Sequence, residues 1–143
     1  MNLPDEETYE CKIIWDGDTG GIALLDSENL RIDTPKEFNG RGLGYCPDQL
    51  FLAAVAGCLL TTFLYFGDRL GFSLLSLNVD SSMRIYRDIA GYHVGKITVT
   101  FIIEVEKGSE AEAKRCVELS KRYCHILRAL QNKVDVKANI TSY

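Results

Sequence analysis

The feature that most constrains this sequence is one stretch, Leu50 to Phe66, in which the only polar side chains are Thr61 and Thr62. Pro47 and Asp48 open it. Proline suits the first turn of a helix because its missing amide hydrogen had no partner there, and Asp48 sets negative charge at the positive end of the dipole. Gly67, Asp68 and Arg69 close it. The stretch is predicted as a helix that is apolar on every face, and such a helix must be covered on every face. It falls short of the roughly 20 apolar residues that span a bilayer, so burial in protein is expected and membrane insertion is not. A single domain of 143 residues can hardly surround it unaided. Ala53, Ala54, Ala56 and Gly57 keep its middle thin enough for another backbone to approach, and the expectation is a homodimer built around it.

The remaining elements follow from periodicity. Tyr9 to Trp15 and Ile22 to Leu25 are rich in β-formers and flank the turn-rich Asp16-Gly17-Asp18-Thr19-Gly20-Gly21, which predicts a hairpin. A short strand over Leu30 to Asp33 follows, then a loop from Pro35 to Cys46 with Gly40, Gly42 and Gly44. Beyond the apolar helix, two strands alternate strictly. Leu75, Leu77, Val79, Met83 and Ile85 share one face, Ile97, Val99, Phe101, Ile103 and Val105 another, and Ile89 to Tyr92 makes the turn. Ser109 with Glu112 three residues on predicts a capping box. One amphipathic helix carrying Cys116, Leu119, Tyr123, Ile126, Leu127 and Leu130 at helical spacing is expected to follow it. Val134, Val136, Ala138 and Ile140 alternate in a last strand that should join the preceding two. This order reads as α+β, one domain over residues 1–143, with two sheets sandwiching the buried helix.

Composition removes whole classes of function. With 46% hydrophobic and 25% charged residues the chain buries a core, and its length needs no disulfide or metal staple. A net charge of -4 argues against a surface that tracks nucleic acid. The acidic N-terminus lacks the basic flank and apolar run of an export signal, so a cytoplasmic protein is expected. In that reducing compartment the five cysteines are read as thiols, not as a disulfide framework.

Each thiol has a structural reading beside a chemical one. Cys11 is placed in the first strand and Cys116 in the core stripe of its helix, both as structural thiols. Cys58 sits mid-helix, too far from the N-terminus for the dipole to activate it, so pattern alone favours the core unless a cation lies near. Cys124 lies about 80° round the helix from Cys116, at the edge of the stripe, where it can face a cleft. Cys58, Cys124 and His125 could supply three metal ligands, but there is no Cys-x-x-Cys and no spaced histidine pair, so no metal is expected. His93 reads as a surface residue. Gly40-Arg41-Gly42-Leu43-Gly44 precedes a helix as phosphate-binding loops do, yet Tyr45 stands where a dinucleotide fingerprint needs glycine, and Cys46-Pro47-Asp48 stands where a P-loop needs Gly-Lys-Ser/Thr.

The segment Pro47-Asp48-Gln49-Leu50-Phe51-Leu52-Ala53-Ala54-Val55-Ala56-Gly57-Cys58, with a second cysteine in Arg122-Tyr123-Cys124-His125-Ile126, resembles the OsmC/Ohr family of thiol peroxidases, and the order of elements resembles it over about the whole chain. The resemblance implies an intertwined α+β dimer of two antiparallel sheets around a central helix, with active sites at the subunit interface. It implies reduction of organic hydroperoxides in oxidative stress defence, with Cys58 peroxidatic, Cys124 resolving, no bound cofactor and an external thiol or dithiol as reductant. The family places a glutamate where Asp48 stands. Asp48 and Cys58 are ten residues apart on one helix, roughly 15 Å of rise, so Asp48 would serve a site on the partner subunit. The family also carries an arginine near the nucleophile. Neither Asp16 to Gly21 nor Pro35 to Phe38 offers one, which leaves Arg41 or Lys36 as the cation. His125 follows Cys124 where many relatives have proline, as a base for that thiol or, more simply, a solvent-facing residue. The alternative from another class is a noncatalytic dimeric binding protein that holds a small hydrophobic ligand in the same cleft.

Overall fold

Three short strands, the first two joined by a turn of Asp, Gly and Thr, make up the first of two compact units in the computed structural model, which describes residues 4–143. This unit ends at Leu50, and the second runs from Phe51 to Tyr143. In the first, β1 (Lys12–Trp15), β2 (Gly20–Leu24) and β3 (Leu30–Asp33) form an antiparallel sheet in that order. The β1–β2 turn is tied by Asp16, whose carboxylate accepts from the backbone N–H of Asp18 at 3.0 Å and of Gly20 at 3.3 Å. The hairpin and the third strand are as expected. The first strand, however, starts at Lys12, and Cys11 lies outside it, exposed. The reason is register: Lys12 pairs with Leu24, the last residue of β2, so residues before it have no partner strand.

Helix α1 (Pro47–Leu70) leads into the second unit. It continues through Gly67, Asp68 and Arg69 and stops at Gly71, whose φ of +65° is a left-handed conformation that glycine takes without a Cβ penalty. Its 24 residues are long and apolar enough to cross a membrane, so the length argument made from sequence does not hold. One face of it, Val55, Cys58, Leu59 and Phe63, packs into a protein core, and polar residues, Asp48 and Arg69, stand at its ends.

The second sheet is built on a long hairpin, β4 (Leu74–Asp88) and β5 (Gly91–Val105), with β6 (Val134–Ser142) beside β5. It is mixed and not wholly antiparallel: β6 runs parallel to β5 from Ile97↔Val134 to Val105↔Ser142. A parallel neighbour needs a long crossover, which helices α2 (Glu110–Tyr123) and α3 (His125–Ala129) supply. Ile97, Val99, Phe101, Ile103 and Val105 are fully buried, as their alternation predicts. On β4 the predicted face holds for Leu77, Val79 and Met83 but fails at its ends. Leu75 and Ile85 are exposed, because register shifts between Leu74 and Ser76 and between Met83 and Ile85 change the phase of alternation, and Leu74 packs on the core instead. The predicted capping box is also absent. Ser109 makes no side-chain cap, and Glu110 accepts from Gly108 N–H at 2.9 Å instead.

Candidate functional site

Two elements of the second unit bring sulfur to sulfur. On α1, the buried residues Val55, Cys58, Leu59 and Phe63 recur at helical spacing and define the face turned to the core. Cys58 is therefore aimed inward, 8% exposed. Thr61 and Thr62, the two polar side chains of the apolar run, donate their hydroxyls to Cys58 O at 3.2 and 2.7 Å, so their polarity is satisfied by the helix itself.

Cys124 is delivered by a break that the periodicity did not reveal. One continuous helix was expected; instead Cys124 adopts an extended conformation, φ -64° and ψ 110°, between α2 and α3. Its N–H closes α2 on Ser120 O at 2.9 Å, and its sulfur accepts from Leu127 N–H at 3.5 Å, opening α3. A thiol thus does the work that Ser or Asp does at ordinary N-caps. The break also turns Cys124 from the stripe's edge to full burial.

The result is Cys124 Sγ donating to Cys58 Sγ at 2.8 Å, with both thiols free. Desolvation is the main reason that the Cys124 thiol is pushed up to about 11, and its hydrogen bond to Cys58 adds to this. At neutral pH Cys124 is protonated and acts as a donor. His125 is exposed at the first position of α3, and its Nδ1 lies 3.9 Å from Cys58 Sγ. The sequence placed this imidazole beside Cys124; the helix break swings it to the other thiol. Adjacency to Cys124 was the only signal available.

Cys116 is the core thiol expected of it, fully buried and likewise pushed up to about 11 by desolvation. Both shifts lie above the ordinary value of 9.0. The stabilising preference for the protonated thiols is therefore intact below pH 9 and is lost as pH rises toward 11. Chemical denaturation across this range is expected to show a decline in stability that Cys116→Ala makes shallower. An unchanged slope in that variant would contradict the assignment.

The other two candidate residues lie in the first unit. Asp48, in the first turn of α1, is exposed and accepts from the Cys46 thiol at 3.8 Å. Arg41 is held by carboxylates: it pairs with Asp16, and its Nε lies 3.5 Å from both Asp18 and Asp33 and donates to Thr19 Oγ1 at 3.1 Å. The Asp16 hydrogen bond is the chief reason its guanidinium is held even above the usual arginine value. Asp33, 1% exposed, also accepts from Thr19 Oγ1 at 2.6 Å and Leu43 N–H at 3.0 Å, which fixes the loop that carries Arg41. Among the described residues no cluster of His, Cys, Asp and Glu is arranged to hold a metal.

Residues 40–139 match the family described as OsmC-like protein. The chain belongs to the OsmC-like family. Curated relatives of this OsmC-like chain include the uncharacterized protein YmaD of Bacillus subtilis, 26% identical over 94% of this chain and 93% of the relative. Another is the organic hydroperoxide resistance protein-like 2 of Staphylococcus saprophyticus, 23% identical over 93% of this chain and 95% of the relative. Among solved structures, an OsmC-like protein from Mycoplasma pneumoniae superposes with a TM-score of 0.79 at 20% identity, covering 96% of this chain and 98% of the other. The α+β fold with two sheets is thus that of the OsmC-like proteins.

Proposed function

We propose that this chain is a thiol-dependent peroxidase that reduces organic hydroperoxides in oxidative stress defence. The observation that carries the reading is the 2.8 Å approach of two buried free thiols, Cys58 and Cys124, from separate elements. Family membership and the resistance-protein name of the Staphylococcus relative support it.

The chemistry runs in two balanced steps. Cys58 sulfur attacks the terminal oxygen of the hydroperoxide, the O–O bond breaks, the thiol proton passes to the leaving alkoxide, and an alcohol departs with Cys58 left as sulfenic acid. Cys124 sulfur then attacks Cys58 sulfur. The sulfenic hydroxyl leaves with the Cys124 proton as water, and a disulfide forms that an external thiol or dithiol reduces. Cys124 is suited to resolve, because it is held as a protonated neighbour until Cys58 becomes electrophilic. In this reading no bound cofactor is needed, and the protein acts in the cytoplasm as a homodimer. Asp48, supplied by a second subunit, and Arg41 keep the carboxylate and cation roles that the family resemblance implies. The exposed small residues Ala53 and Ala54 and the half-exposed Leu64 of α1 are the surface such a dimer would cover.

The test is consumption of tert-butyl hydroperoxide by the reduced protein with dithiothreitol or dihydrolipoamide. Turnover above the reductant blank is expected. In Cys124→Ser, the Cys58 sulfenic acid is expected to persist long enough for trapping by dimedone. No turnover with either reductant, together with a bound organic molecule in native mass spectrometry, would overturn the reading in favour of a noncatalytic binding protein.

A further inference from the structure

We infer that His125 is a catalytic residue of the Cys58 site, which carries the thiol proton between the buried sulfur and the leaving oxygen. The inference rests on the peroxidase reading for its chemistry and on the geometry of the second unit for its placement. Within that unit, Cys58 Sγ has two hydrogen-bonding neighbours, Cys124 Sγ at 2.8 Å and His125 Nδ1 at 3.9 Å. They differ in what they can do with a proton. Cys124 is fully buried and holds its own proton at neutral pH. It can donate a hydrogen bond but cannot accept the proton of Cys58. An imidazole is the side chain that both accepts and releases a proton near neutrality.

Its position suits the task. Cys58 is buried while His125 is exposed at the start of α3, so the ring spans the distance from enclosed sulfur to solvent. The same break that buries Cys124 puts the next side chain against Cys58, because Cys124 leaves helical geometry and α3 restarts at His125. The resolving thiol and the base therefore share one structural hinge. When Cys58 attacks, Nδ1 takes the thiol proton; when the O–O bond breaks, the same proton goes to the alkoxide, and the imidazole returns to its starting state. No oxidant beyond the hydroperoxide is required.

The titratable group within hydrogen-bonding reach of the ring is Cys58 from α1. Of the flanking charges, Arg122 on α2 lies over the Tyr123 ring, and Arg128 is in the last turn of α3. Substituting His125 leaves these in place.

Alkylation of Cys58 by iodoacetamide, followed by mass spectrometry from pH 5.5 to 8.5, reads the proton relation without any peroxide. Cys58 of the wild type is expected to be alkylated about tenfold faster at pH 7 than Cys58 of His125→Gln and His125→Asn, with a rate profile that both variants change. Single-turnover reduction of tert-butyl hydroperoxide at pH 7 is expected to slow about a hundredfold in the same variants. Circular dichroism melting checks that each variant folds, and the two substitutions provide a second reading if one does not. Alkylation profiles that superimpose on wild type in a folded variant would overturn the role of His125 while leaving the peroxidase intact. Slower alkylation in both variants of a protein that reduces no hydroperoxide would uphold the imidazole–thiol pair and overturn the peroxidase reading.

Discussion

Cys58→Ser is expected to lower organic hydroperoxide turnover below about a thousandth of the wild-type rate, with the thermal transition little changed. The bond to the peroxide oxygen in the proposed chemistry is made by this sulfur, and a hydroxyl in its place is neither an adequate nucleophile nor able to form the sulfenic acid. Serine is close in size, and the site already accommodates a polar neighbour at 2.8 Å, so the fold should tolerate the change. Steady-state consumption of tert-butyl hydroperoxide, with circular dichroism as the folding control, measures both. Turnover within tenfold of wild type would remove Cys58 from the mechanism and attribute the activity to another thiol.

Phe63→Ala is expected to cost about 3–5 kcal/mol of stability, the largest loss from any single truncation of α1. Phe63 is fully buried, and its ring meets Phe72 edge-on at 6.1 Å and Phe101 at 5.5 Å. It therefore joins the helix both to the segment that follows it and to the central strand β5. Domains of this kind carry roughly 5–15 kcal/mol in total, so the loss is a large share. Urea denaturation should show a lower midpoint at similar slope. A loss under about 1 kcal/mol would mean that the site collapses around the cavity and that α1 is held chiefly by other contacts.

How far the sequence could be read depends on which physical signal each residue leaves. Burial by alternation leaves a strong one, and the five inward residues of β5 were legible because a strand has an invariant period of two. The apolar run of α1 was equally plain, as was Cys58 within it. Register shifts leave no compositional trace, so the exposure of Leu75 and Ile85 could not be foreseen. The break at Cys124 was hidden for a related reason: the apolar residues on either side, Tyr123 and Ile126 among them, keep helical spacing across it. A cysteine gives no cue that it will cap a helix. The pairing of Cys58 with Cys124 came from family resemblance, and its distance came from the fold. The partner of His125 came from neither periodicity nor resemblance, because it follows from the turn of one residue's backbone. Arg41 shows a further limit. Its position in a glycine-rich loop was visible, but the three carboxylates around it are drawn from β3 and the β1–β2 turn, and only tertiary structure gathers them.

The central claim is that two thiols 2.8 Å apart are the working parts of one redox cycle. It is tested most directly by treating the reduced protein with one equivalent of tert-butyl hydroperoxide, quenching with an alkylating agent and mapping disulfides by mass spectrometry. The account predicts rapid, near-stoichiometric formation of a Cys58–Cys124 crosslink, with Cys11, Cys46 and Cys116 still alkylated as thiols and no crosslink in Cys58→Ser. Thiols left unoxidised, or a crosslink that omits Cys58, would contradict it.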